Sequence, residues 1–112
     1  MYVSAPNGEL TLSLESSPAG SIVLCSGKIT TSSVDFFLDT VRPLIPGTHR
    51  IALDLSALNF IDSSGLGAIV RLWAAAKTSG SQLSVINVSQ RVKDLFRLTN
   101  LHLIFEGHEP RR

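Results

Sequence analysis

At 112 residues with a formal net charge of +1, the chain is one small domain, long enough to bury a single core. Hydrophobic residues make up 44% and charged residues 17%, so it is globular, with room for an apolar contact patch on its surface. Lys and Arg are scattered rather than gathered in a stripe, which excludes a direct nucleic-acid partner.

The single cysteine, Cys25, lies in an apolar run and excludes an internal disulfide; a reducing cytoplasm is the expected compartment. Met1 to Gly8 lack a basic region followed by an apolar stretch, so no signal peptide is expected. Polar residues such as Arg71 and Lys77 interrupt each apolar stretch, and no membrane span is expected.

In chain order, residues 1–8 read as a frayed tail. Leu10-Thr11-Leu12-Ser13-Leu14 alternates strictly and predicts a half-buried strand. After the turn at Glu15 to Gly20, Ile22-Val23-Leu24-Cys25 predicts a second strand in an antiparallel hairpin, ended by Gly27. Thr31 or Ser32 then caps a helix with Val34, Phe37, Leu38 and Val41 inward, stopped by Pro43 and Pro46-Gly47. Ile51, Leu53 and Leu55 alternate on a third strand.

A central helix is predicted from about Ser64 to Lys77 or Thr78, ended by Ser79-Gly80, with Leu66, Ile69, Val70 and Trp73 on its buried stripe. Leu83 to Val88 gives a fourth strand. Ser89 caps a third helix with Val92, Leu95, Phe96 and Thr99 inward, and Asn100 makes a left-handed stop. Leu103-Ile104-Phe105 reads as a short last strand and residues 107–112 as a second tail. Strand-helix-strand units in succession imply parallel pairing. The expected architecture is a single α/β domain, core about 9–106, with a four- to five-stranded mixed sheet, a parallel core and about three helices.

The organising stretch is Phe60-Ile61-Asp62-Ser63-Ser64-Gly65-Leu66-Gly67, a polar turn joining strand to helix at the carboxyl edge of the sheet. Backbone N–H groups and the positive end of the macrodipole favour negative charge there. A serine hydroxyl at that place caps the helix or carries a phosphate. Gly65 and Gly67 each cost roughly 1 kcal/mol against alanine in a helix. Close packing of helix on strand explains Gly67; a backbone left approachable for a partner or a phosphate is the other reading of both.

Asp62-Ser63-Ser64-Gly65-Leu66-Gly67 resembles the signature of STAS domains, specifically bacterial anti-sigma-factor antagonists. The likeness runs back through Ile51-Ala52-Leu53-Asp54-Leu55-Ser56 and on to Arg91 through Leu101, covering about residues 9–106. It implies a phosphorylation switch in which the unmodified protein binds an anti-sigma factor that is also a serine kinase. The kinase modifies the serine after the aspartate, here Ser63 with Ser64 as second choice, and a phosphatase resets it. The implied partner surface comprises Asp62, Ser63, Ser64, Gly65, Leu66 and Gly67, with Lys28 and Thr30. Asp62 either orients the hydroxyl or serves as an Asx-type turn residue.

Two departures stand out. A Gly-Glu-Leu-Asp-like segment common in the family reads Gly27-Lys28-Ile29-Thr30, with both acidic positions lost, which points to a divergent partner. The chain also ends soon after the last predicted strand, leaving leucines on a strand edge free to pair in a homodimer. The rival reading is a regulatory subunit of a transporter or stress-signalling complex on the same fold. An enzyme is not expected: His49, His102 and His108 are the bases on offer for Ser63, but no Gly-x-Ser-x-Gly elbow is present, lone histidines read as strand-end or tail residues, and the resemblance implies a serine without a triad. Neither metal nor cofactor is expected, because those histidines and Cys25 show no ligand spacing.

Overall fold

Period-two alternation builds one sheet. In the computed structural model, which describes residues 1–101, five strands lie side by side in chain order: β1 (Tyr2–Ser4), β2 (Leu10–Ser17), β3 (Gly20–Ile29), β4 (Arg50–Ile61) and β5 (Gln82–Ile86). The first two pairings are antiparallel and the β3–β4 and β4–β5 pairings parallel. Helices α1 (Val34–Val41) and α2 (Ser63–Thr78) make the two crossovers, and α3 (Gln90–Leu98) follows β5. This is the expected mixed sheet with a parallel core and three helices.

Alternation also decides which face is covered. Leu10, Leu12, Val23, Cys25, Leu53 and Val85 are buried beneath the helices. Their neighbours Thr11, Ser13, Ile22, Ala52, Asp54 and Ser84 are half-buried or exposed on the opposite face. Burial pushes the Cys25 thiol up to about 12, which leaves it an inert core residue.

Several local expectations are corrected. The tail expected over residues 1–8 is instead an edge strand, with Tyr2, Val3 and Ser4 paired to Ser13, Leu12 and Thr11, and Ala5 buried. Three residues are too few to show a period; the open edge of β2 recruits them. Gly27 does not end β3, which runs on to Ile29. Its φ of +111° permits a register shift at Gly27–Lys28 and a close approach to the Glu9 carbonyl that a Cβ would obstruct. The expected strand at Leu103–Phe105 and the tail at 107–112 lie outside the described residues.

The N-cap position of α1 is Ser33, not Thr31 or Ser32, and its side chain caps nothing. Fully buried, the Ser33 hydroxyl donates to the Lys28 carbonyl and accepts from the Thr30 N–H, each at 3.0 Å. It thereby closes the β3–α1 loop. Phe37, Leu38 and Val41 face the core as expected, while Val34 is half-buried. The α-helix ends at Val41, just before Pro43 as expected, and Pro43 sits in a 3-10 turn, Arg42–Leu44, where its missing N–H costs nothing.

The stripe on α2 is rotated from the expected one. Leu66 and Ile69 are buried with Leu72 and Ala76, whereas Val70 and Trp73 lie half-buried at the flank, Trp73 beneath the Lys77 ammonium at 5.0 Å. Small side chains at Gly65, Ala68 and Ala76 let the helix sit down on the sheet. A Cβ at Gly65 would lie 2.6 Å from Ile61 Cγ1 and 2.8 Å from the Ile29 carbonyl oxygen, whereas one at Gly67 would meet nothing within 4 Å. The close-packed glycine is therefore Gly65, the reverse of the expectation for Gly67. At α3, Ser89 caps as expected, accepting from the Val92 N–H at 3.3 Å, and Asn100 turns with φ +62°. Thr99 is exposed instead of inward, its hydroxyl donating back to the Leu95 carbonyl.

These contacts set opposite signs for the two glycines. Gly65→Ala is expected to lose about 1–3 kcal/mol of stability, because backbone at Ile29 cannot yield as a side chain would. Gly67→Ala is expected to gain about 0.5–1 kcal/mol from helix propensity. Urea denaturation of the two variants measures both.

Candidate functional site

Three segments meet where the parallel strands end. Asp62, half-buried between β4 and α2, donates its N–H to the Ile29 carbonyl at 3.2 Å. Its carboxylate divides its work between two of those segments. Oδ1 accepts the Gly65 N–H at 3.1 Å and caps α2; Oδ2 accepts the Thr31 N–H at 3.2 Å from the β3–α1 loop. Asp62 is thus a helix cap and a bridge at once.

Beside that arrangement, Ser63 and Ser64 differ in exposure and in bonding. Ser64 is half-buried, its hydroxyl 3.0 Å from that of Thr31. Ser63 is exposed in the first turn of α2, and among the described residues its hydroxyl has no hydrogen-bond partner. The first four N–H groups of a helix lack helical acceptors. Asp62 and Gly65 have theirs satisfied, which leaves the Ser63 and Ser64 amides open at the positive end of a 16-residue helix. Such a helix start favours negative charge nearby.

The other predicted residues separate into two groups. Lys28 is exposed and Thr30 half-buried beside the turn, and Gly67 is open to solvent. Gly65 and Leu66 are buried, and Leu66, 6% exposed, packs in the core. Sequence reasoning missed Thr31 and Glu9. The Thr30 hydroxyl donates to Glu9 Oε2 at 2.5 Å and accepts the Ser32 N–H at 3.1 Å. Chiefly because of that Thr30 bond, with the Ser33 hydroxyl next and Lys28 adding, the Glu9 carboxyl is held below the usual range despite nearby Asp62. A glutamate preceding an apolar alternation gives no hint of a contact 21 residues away.

An apolar groove of about 520 Å³ adjoins the turn, formed by Phe60 and Ile61 of β4 with Val92, Leu95 and Leu98 of α3. Phe60 and Leu98 are 46% and 81% exposed. Among the described residues, no cluster of His, Cys, Asp or Glu is arranged to hold a metal, and no helix is long and apolar enough to cross a membrane.

The family model of the STAS domain matches residues 11–110. The chain belongs to the STAS domain family. An anti-sigma-B factor antagonist of Staphylococcus epidermidis is 34% identical over 63 residues, 56% of this STAS domain chain and 58% of that protein. The matched stretch thus spans less than two thirds of that relative. A solved anti-sigma factor antagonist from Mycobacterium paratuberculosis superposes with a TM-score of 0.79 at 22% identity, covering 92% of this chain and 87% of its own. The Bacillus cell fate determinant SpoIIAA in its phosphorylated form superposes with a TM-score of 0.66 at 18% identity, covering 80% and 84%. These structural likenesses carry the STAS fold.

Two outcomes test the turn. Asp62→Ala is expected to cost at least about 1 kcal/mol, from the lost cap and the lost bond to Thr31, read in thermal unfolding. A carboxyl with a lowered value in the folded state adds stability above its unfolded value and loses it as pH falls through the folded one. Glu9→Gln should therefore unfold at lower urea than wild type near neutrality, and the two midpoints should converge in acid.

Proposed function

We propose that this STAS domain is an anti-sigma-factor antagonist switched by phosphorylation of Ser63. The observation that carries the reading is the Ser63 hydroxyl: exposed, unbonded among the described residues, and held beside open amides at the start of α2. Ser64 shares its hydroxyl with Thr31, which makes it the poorer acceptor. The likeness to antagonists by name, and to a neighbour described in a phosphorylated form, supports the same reading.

The mechanism follows from charge. Unmodified, the rim around Ser63 and the apolar groove beside Phe60 together offer a docking surface to an anti-sigma factor with serine-kinase activity, which frees its sigma factor in the cytoplasm. Phosphorylation adds about −1.5 to −2 charges beside Asp62 and three strongly hydrated oxygens. Docking would then have to strip water from that group and set it against any acid on the partner. The fold tolerates it, because the helix start favours an anion. A phosphatase removes the phosphate. The domain acts by binding and not as an enzyme; no described side chain is bonded to Ser63 as a general base.

The test is phosphate transfer from the partner kinase and ATP. Ser64→Ala is expected to accept phosphate and Ser63→Ala to accept none. Ser63→Asp should bind the anti-sigma factor at least about tenfold more weakly in calorimetry, the effect of one unfavourable charge at a contact. Full modification of Ser63→Ala would sink the assignment.

A further inference from the structure

We propose that Glu9 is a positioning residue of the switch, reaching from the β1–β2 turn to clamp the loop that holds both neighbours of Ser63. The inference rests on the reading of Ser63 given above. It begins with how firmly Glu9 itself is placed. Its N–H donates to Asn7 Oδ1 at 2.9 Å, its carbonyl accepts the Lys28 N–H at 3.0 Å, and Gly27 lies against that carbonyl where no side chain would fit. The carboxylate is therefore delivered by a fixed backbone.

From Glu9 a continuous relay runs to the turn. Oε2 takes the Thr30 hydroxyl at 2.5 Å, a charge-assisted bond of the stronger kind. The same Thr30 oxygen accepts the Ser32 N–H, so the peptide unit that follows Thr31 is held. Thr31 then donates its N–H to Asp62 Oδ2 and meets the Ser64 hydroxyl. Asp62 and Ser64 are the residues before and after Ser63. Thr30 carries no charge of its own, and Glu9 brings a carboxylate within hydrogen-bonding reach of it. Lys28 and Asp62 are the charged groups that face it.

Phosphoryl transfer depends on aligning the acceptor oxygen, and a small displacement of the turn costs rate without unfolding the domain. Glu9→Ala, Thr30→Val and the double variant form a cycle that is read two ways. In NMR of the chain alone, each single substitution is expected to speed exchange of the Thr31 amide about fivefold, the worth of one bond, and the double variant no more than either. Wild-type exchange in both single variants, or additive losses in the double, overturns the clamp.

In the kinase assay, run well below the unfolding midpoint of each variant, Glu9→Ala is expected to lower kcat about tenfold with KM little changed. An unchanged kcat overturns the positioning role. If the wild-type chain accepts no phosphate, the functional reading fails with it, while the exchange measurement still decides whether Glu9 holds Thr31.

Discussion

One carboxylate, that of Asp62, joins what would otherwise be two independent loops. A helix start needs an acceptor for its free amides, and a strand end needs something to stop it from fraying; Asp62 supplies both from a single side chain. Because one oxygen faces α2 and the other faces the β3–α1 loop, the serine that follows is turned outward and the next serine sideways toward Thr31. The exposed hydroxyl is a result of the cap. The cap in turn needs Gly65, since a side chain there would lift α2 away from Ile29 and Ile61.

The sheet prepares this geometry. Parallel β3 and β4 end side by side, Ile29 opposite Ile61, so their following loops emerge at one edge. Two irregularities in their register, after Leu24 and after Gly27, let β4 run longer than its neighbour while keeping Leu55, Leu58 and Ile61 inward. Past Asp54, β5 no longer pairs with β4. There α3 takes over, and Val92, Leu95 and Leu98 with Phe60 and Ile61 make the groove that adjoins the turn.

Much of this was legible in the residues. The alternation of Leu10 to Leu14, the capping Ser89, the stop at Ser79-Gly80 and the left-handed Asn100 are local signals, and each holds in the structure. The Asp62 to Gly67 motif was also visible, and Ser63 within it is exposed. What escaped is non-local. β1 exists because β2 offers an edge; Ser33 is buried because its hydroxyl closes a loop, not because it caps a helix. The roles of Gly65 and Gly67 were exchanged because periodicity does not say how near a helix lies to its sheet. Glu9 belongs to the same class, since its meaning depends on which loop the hairpin brings beside it.

The relay from hairpin to helix start also bears on how such a domain could hold information. The serine oxygen at the rim is backed by anchored backbone on each side and buried leucine and isoleucine beneath. On the proposed reading, a group added there would change the surface potential and leave the architecture alone. The marked and unmarked molecules would then have nearly the same shape and differ in what they repel, so the lifetime of the mark would belong to the enzymes that write and erase it.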